Sequence, residues 1–239
     1  MKLFDGGVRL EIKAEKPRIL IAGDAHFPFA DAAKVKQFVA LVKELKPTHV
    51  LQIGDLFDAY TFSRFARSVN FITPQAELEE GRAQAVAFWK GVRKNAPSAA
   101  CFQMRGNHSH RLMKMILDRA PEYEPLIAGP LEDLTKFDGV VDMKSARSEI
   151  AINDIVFIHG WSCRPGFHRD YFGQSVVHGH THHAGVSYKA QKGAPLFELD
   201  CGHMADTAQL PLQYGETKTS NWVAGAGFID ALGPRVILL

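Results

Sequence analysis

Residues 18–26, RILIAGDAH, decide how the chain is read. An apolar run from Ile19 to Ala22 closes on Gly23-Asp24, and a histidine follows at His26. A strand buried on both faces carries no apolar-polar alternation, and this run shows none. Its end bears a carboxylate and an imidazole, both good donors to divalent metals. The pattern returns twice. THVLQIGD (48–55) closes on Gly54-Asp55, with Asp58 three residues beyond, and AACFQMRGNH (99–108) closes on Gly106-Asn107-His108.

Helical segments lie between these strands. Asp31 is placed to cap a helix whose apolar positions, Val35, Phe38, Val39 and Val42, recur at three- and four-residue spacing. Thr73-Pro74 opens a second helix, to about Lys94, with proline at the first helical position. A third runs from about His110 to Arg119 and is stopped by Pro121. Residues 2–12 read as a hairpin around Asp5-Gly6, which supplies the positive φ of a tight turn. From residue 148 the chain turns to β-structure. SEIAINDIVFIHG (148–160) is a hairpin turning at Asn153-Asp154 and ending in His159-Gly160. QSVVHGHTH (174–182), AGVSYKA (184–190), APLFELDCG (194–202), NWVAGAGFIDA (221–231) and RVILL (235–239) are short strands. A β-α-β-α-β half followed by a mostly β half points to the α/β class: two stacked mixed sheets with flanking helices, a four-layer α-β-β-α sandwich. With neither repeats nor a low-complexity linker, residues 1–239 read as one domain.

A formal net charge of +2 is too small to imply a nucleic-acid or membrane surface by itself. Cys101, Cys163 and Cys201 are widely spaced and form no CxxC pattern, which points to reduced thiols in a cytoplasmic protein. The first residues hold no sustained apolar run, so neither a signal peptide nor a membrane anchor is expected.

Five strand ends therefore share one chemistry: GDAH (23–26), GDLFD (54–58), GNH (106–108), HG (159–160) and GHTH (179–182). In open α/β sheets functional groups gather in the crevice beyond the carboxyl ends of the strands. Each motif also has a glycine, which allows a sharp turn and a close approach of backbone to ligand. Strand alternation in GHTH puts His180 and His182 on one side and Thr181 on the other. His178 shares their parity from inside the strand and is expected to be packed. His183 and His49 are expected at the surface, and His203, after a further strand end, is a candidate for the pocket wall.

In this order, over roughly residues 18–203, the motifs resemble the calcineurin-like metallophosphoesterase superfamily. GNHSHR (106–111) and SVVHGHTH (175–182) look like phage- and prophage-encoded members. The resemblance implies two divalent metal ions. Asp24 and His26 would hold the first and Asp55 would bridge both. Asn107, His159 and His180 would hold the second, and His182 would return to the first. Two cations about 3.5–4 Å apart repel unless a carboxylate lies between them, which suits Asp55. Nitrogen and oxygen donors without thiolate fit Mn²⁺, the family's usual activator and the working expectation, and also Fe²⁺, Zn²⁺, Ni²⁺ or Co²⁺. His108 is the expected general acid, and Asp58 resembles the carboxylate that orients it and favours its imidazolium form; the other reading of Asp58 is a helix N-cap. Two departures stand out. Ser109 occupies a position where the family commonly has Glu or Asp. Ala59-Tyr60 stands where protein phosphatases have Arg-Gly, and the paired histidines of GHTH fit nucleases and phosphodiesterases better.

Cations near the motifs are Arg64, Arg67, Arg105, Arg111, Arg164 and Arg169; Arg111 and Arg164 are the substrate-binding candidates. Lys90, Arg93 and Lys94 would extend the track if their helix end shares that face. Phe27, Phe57, Tyr60 and Trp161 could stack on bases or pack in the core. The expected activity is hydrolysis of phosphodiester bonds, in DNA, RNA or nucleotides, by metal-bound hydroxide, with no membrane partner. The alternatives are a phosphomonoesterase or pyrophosphohydrolase for small metabolites, and a catalytically inactive metal-binding interaction module.

Overall fold

The computed structural model describes residues 7–64, 71–191, 193–212 and 221–239. Its elements in chain order are β1 (Arg9–Ile12), β2 (Ile19–Ala22), α1 (Ala32–Leu45), β3 (His49–Gln52), α2 (Pro74–Asn95), β4 (Ala100–Gln103), α3 (Arg111–Arg119), α4 (Glu124–Leu134), β5 (Val140–Asp142), β6 (Glu149–Ile152), β7 (Ile155–Phe157), α5 (Phe167–Phe172), β8 (Ser175–His178), β9 (Ala184–Gln191), β10 (Ala194–Cys201), β11 (Gly225–Asp230) and β12 (Gly233–Leu238).

Both faces of β2 are apolar because each meets a different core. Ile19 and Ile21 pack between the sheets with Leu51, Phe102, Ile150, Phe157 and Leu199. Leu20 and Ala22 face α1 and α2, where Phe38, Val42, Phe88 and Trp89 fill the space. The first sheet has the order β12-β11-β2-β3-β4-β5 and the second β1-β6-β7-β8-β10-β9. Each is mixed: β2, β3, β4 and β5 run parallel beside antiparallel β11 and β12, and β6–β7 and β9–β10 are the antiparallel pairs of the second. On the far face of the second sheet Val156, Ile158 and Val176 pack against Phe172 of α5. The layers are thus helices, sheet, sheet, helix, as the sequence pattern predicts.

Register fixes where the functional loops emerge. Ile19 lies beside His49, and His49 beside Ala100, so the loops after β2, β3 and β4 leave one edge together. The helices that connect them are locally specified. The Asp31 carboxylate accepts from the Ala33 and Lys34 amides at 2.8 and 3.3 Å, and Thr73 Oγ1 accepts from the Ala76 amide at 3.2 Å, with Pro74 in the first turn.

Several expectations change. Residues 1–6 lie outside those described, and β1 pairs in parallel with β6 instead of folding into a local hairpin. His49 is not at the surface: as the first residue of a central strand it is buried, with Nδ1 2.8 Å from Thr48 Oγ1. The Arg93 guanidinium donates to the Ala99 carbonyl at 3.0 Å, so the end of α2 lies where β4 begins. Lys90, Arg93 and Lys94 therefore sit at the edge away from the motifs and cannot extend a track to them. Among the described residues no helix is long and apolar enough to cross a membrane.

The core between α1, α2 and the first sheet is tightly filled around Phe88, whose ring centroid lies 5.6 Å from Phe38 and 5.1 Å from Trp89. Phe88→Ala should lower unfolding stability by about 3–5 kcal/mol. A urea titration should show the midpoint falling at an unchanged slope.

Candidate metal centre

Beyond the common strand edge the chain bends hard. His26, Asp55, His180 and His182 have φ of 56, 45, 70 and 62°, all in the left-handed region that non-glycine residues avoid. β8 ends at His178, so His180 and His182 do not converge by strand alternation as expected; left-handed turns aim them. Two glycines are required by close approach. A methyl group at Gly106 would overlap Asp55 Oδ1, and one at Gly179 would overlap Asp24 Oδ1.

The seven expected ligands come together in two adjoining groups. In the first, His26 Nε2 lies 3.0 Å from His182 Nε2, which lies 3.1 Å from Asp24 Oδ2. His26 Nδ1 donates to Asp58 Oδ2 at 2.8 Å, which leaves its Nε2 lone pair facing the group. In the second, His159 Nε2 lies 3.2 Å from Asp55 Oδ2 and 3.0 Å from Asn107 Oδ1, and His180 Nδ1 lies 2.9 Å from the same amide oxygen. His159 Nδ1 donates to the Ile53 carbonyl at 3.3 Å, again turning Nε2 inward. Asp55 lies within reach of donors from both groups, and so does Asp24.

The donor set fits divalent cations. Lone-pair atoms at such spacing repel unless a proton or cation lies among them, and Asp24 Oδ1 is buried with no hydrogen-bond partner. Burial pushes the Asp24 and Asp55 carboxyls up, but the facing imidazoles, His159 foremost, bring both below the usual range. Burial likewise works against a charged His159, yet Asp55 and Asp24 hold it up at about 9. The pocket thus favours positive charge, and its nitrogen and oxygen donors suit first-row transition ions over softer or larger ones.

His108 stands beside this centre. Its Nδ1 donates to the Asp58 carbonyl at 2.9 Å, its Nε2 lies 3.8 Å from Asp55 Oδ2, and its backbone amide donates to Asp55 Oδ1 at 2.8 Å. Asp58 is not a helix cap. Its carboxylate reaches His26, His108 at 3.3 Å and Arg111 at 3.2 Å; burial raises its carboxyl, but the His108 and His26 imidazoles bring it well below the usual range. Capping of the turn at Tyr60–Phe62 falls instead to Glu77, buried on α2, which accepts from the Tyr60 and Thr61 amides. Arg111 Nη2 donates to His108 Nε2 at 2.8 Å.

The other expected residues scatter. Arg105 pairs with Asp142 at 2.6 Å, and Arg169 is buried beside Asp170, so both are structural. Arg164 lines a separate cleft of about 200 Å³ with His178, Glu198 and Asp200. None of the seven ligands lines that cleft, and its carboxylates repel phosphate, which argues against Arg164 as a substrate contact. Arg67 lies outside the described residues. Phe27, Phe57 and Tyr60 pack in cores, while Trp161 is exposed. His203 is buried with its ring 5.5 Å from His182, backing a ligand instead of facing substrate, and His183 is exposed.

One cluster was not anticipated. His178 is packed on the outer face of the second sheet, its Nε2 3.6 Å from Glu198 and its ring 4.6 Å from that of His168. Glu198 also accepts from the Gly166 and Arg169 amides at 2.6 and 2.9 Å, tying α5 to β10. The signal lay in the acidic residue inside APLFELDCG, a run otherwise read as plain strand.

No family model matches the sequence. The Gene 54 protein of Mycobacterium phage D29 is 24% identical over 247 residues, covering 92% of this chain and 91% of its own. Among solved structures, the phosphoesterase YfcE from E. coli aligns with a TM-score of 0.46 at 13% identity, over 90% of this chain and 88% of that one. Vps29 of Chaetomium thermophilum aligns with a TM-score of 0.43 at 13% identity, over 93% and 95%. The resemblance to the calcineurin-like phosphoesterases is carried by the order of the five strand-end motifs. The phage resemblance read from GNHSHR and SVVHGHTH meets its counterpart in the phage D29 protein.

Two outcomes follow from this geometry. Gly179→Ala should displace the Asp24 carboxylate and lower bound metal while leaving the circular dichroism spectrum intact; an unchanged metal-to-protein ratio by elemental analysis counts against the assignment. Glu198 is opposed by burial but held down to about 2, from its ordinary 4.5, by His178 and the two amides. A depressed carboxyl stabilises the fold above its unfolded pKa and loses that contribution as pH falls through the folded one. Glu198→Gln should therefore destabilise the protein by a constant amount above about pH 5, with the gap closing between 4.5 and about 2 in pH-dependent melting.

Proposed function

We propose that this protein is a two-metal phosphoesterase that cleaves phosphodiester bonds in nucleic acid or nucleotides. The observation that carries this reading is the convergence of Asp24, Asp55, Asn107 and four imidazoles in one crevice, with His108 beside them. Asp24, His26 and His182 would hold one cation, Asn107, His159 and His180 the other, with Asp55 between. Two divalent cations there, Mn²⁺ first among Fe²⁺, Zn²⁺, Ni²⁺ and Co²⁺, would polarise the phosphoryl oxygens and make hydroxide available near neutral pH.

The chain's own residues supply the rest. The Asp58 carbonyl fixes the His108 ring through Nδ1, so Nε2 is the atom that can carry a proton to the leaving alkoxide. Arg111 occupies that nitrogen in the resting arrangement. A phosphate competes for the guanidinium with charge-assisted hydrogen bonds, and its arrival frees Nε2 to be protonated. The Asp58 carboxylate lies 3.3 Å from His108 Nδ1 and keeps a hold on Arg111 through Oδ1, so acid and phosphate clamp are positioned by one carboxylate. Cys101 and Cys201 are buried and Cys163 is exposed, all three unpaired, which suits a reducing, cytoplasmic setting.

Bis-p-nitrophenyl phosphate should be hydrolysed in preference to p-nitrophenyl phosphate once metal is supplied. Preference for the monoester would favour a small-metabolite phosphatase, and no hydrolysis of either would favour an inactive binding module. His108→Ala should keep its metal and lose turnover by about 10²–10⁴-fold. Full turnover in that variant would show that another group supplies the proton.

A further inference from the structure

The loop that carries Asn107 continues through a short 3-10 turn, His108–His110, directly into α3. This helix therefore starts at the metal centre and leads away from it. Side chains three and four residues apart share a helix face, and Arg111, Lys114, Met115, Asp118 and Arg119 lie on such a face. With Asn107, Phe62 and Arg64 they line a groove of about 370 Å³. Asn107 belongs both to this groove and to the second ligand group, so the groove opens onto the metal centre.

The charge of the groove is one-sided. Among the described residues that line it, Arg111, Lys114 and Arg119 on α3, together with Arg64, outnumber one carboxylate, Asp118, in a chain whose formal net charge is only +2. Arg111 is engaged by Asp58 and His108. Lys114 and Arg119 are exposed, and among the described residues neither forms an ion pair. At about 1.5 Å of rise per residue, Lys114 lies about 4.5 Å and Arg119 about 12 Å along the axis from Arg111. That span matches roughly three phosphates of a stacked strand, at about 3.4 Å each. Phe62 and Met115 supply apolar walls on which bases can pack.

We propose that the α3 groove binds a single-stranded nucleic acid as it leaves the metal centre, one phosphate on Lys114 and a further one on Arg119. This rests on the phosphoesterase reading above and gives it a polymeric substrate. A small nucleotide would make no use of cations so far from the centre. A duplex fits poorly, because Asp24, His26, Asp55, His159 and His182 are 3% exposed or less and the reacting phosphate must sink to reach them. A single strand can bend into that crevice, whereas a duplex is stiff over about 150 base pairs.

The test is fluorescence anisotropy on the metal-loaded chain with a labelled phosphorothioate oligothymidylate, and with a duplex of equal phosphate count, across a series of salt concentrations. Each phosphate contact on a single strand contributes about 0.7 to the log–log salt slope, so Lys114→Ala combined with Arg119→Ala should flatten it by about 1.4 and weaken low-salt binding at least about tenfold. The charge-conserving pair Lys114→Arg and Arg119→Lys should restore both, and thermal melts with metal analysis establish that the variants are folded and loaded. An unchanged slope and affinity in the alanine pair overturns the proposal, as does a duplex that binds as tightly as the single strand. The phosphoesterase reading fails separately, if the parent chain hydrolyses no diester.

Discussion

Two carboxylates, Asp24 and Asp55, stand side by side at the edge of the first sheet, both almost wholly buried, and each raises the other's cost of ionisation. Removing such charges from water costs several kcal/mol apiece unless compensating groups surround them. Most of the surrounding structure supplies that compensation. The His180 amide donates to Asp24 and the His108 amide to Asp55, and the imidazoles of His159 and His182 face the remaining oxygens. Among the described residues of the centre, Asp24 Oδ1 and His182 Nδ1 are buried with no hydrogen-bond partner. A buried polar atom left over after so much satisfaction is what a cation site presents when described by its protein atoms.

Holding this arrangement requires backbone conformations that are individually unfavourable. The left-handed residues His26, Asp55, His180 and His182 cost on the order of 1–3 kcal/mol each and persist only where neighbouring structure over-determines them. That structure is a ladder extended past the strand ends. The Ala25 and His26 amides both donate to the Asp55 carbonyl at 3.2 and 3.0 Å, the Phe27 amide to Leu56 at 2.8 Å, and the Asp58 amide back to Phe27 at 3.0 Å. The two metal loops are therefore stitched to each other before any ligand arrives. The core that anchors them, from Phe27 to Phe88, is continuous with the helix layer. Fold stability and site geometry are in this sense one quantity.

Much of this was legible in the sequence because the relevant signals are local or repeated. The runs ILIA, HVLQ and ACFQ lie on central strands, Asp31 and Thr73 cap their helices, and Asn153-Asp154 turns its hairpin with Asn153 left-handed. The residues gathered at the strand ends followed from motif order. What escaped depends on tertiary context. β1 finds β6 across 140 residues, which no local pattern encodes. Glu77 and Glu198 are carboxylates inside regular elements, and their backbone-amide partners come from loops distant in sequence. His180 and His182 reach the centre for a reason other than alternation, because alternation holds only while the strand continues. Arginines were the least legible, since Arg105 and Arg111 differ only in whether the carboxylate they meet is structural, Asp142, or belongs to the centre, Asp58.

The surroundings of the centre are also asymmetric, and the asymmetry bears on direction. On one side α3 leaves with its amide-rich end towards Asn107, where a helix carries partial positive charge, and with Lys114 and Arg119 along its face. Towards α5 the loop after His159 borders a cleft walled by Glu198 and Asp200. Glu198 is held charged to about pH 2, and its charge is already shared by His178 and two backbone amides. Asp200, pushed up to about 6 by burial, adds negative charge as the pH approaches neutrality. A polyanion extending from a phosphate at the centre thus meets cations along α3 and carboxylates in this cleft. On the proposed function, with His108 as the acid on the α3 side beside Arg111, the segment that departs as the leaving group would be the one lying in the cationic groove, and the same helix that places the proton donor would hold the strand it protonates.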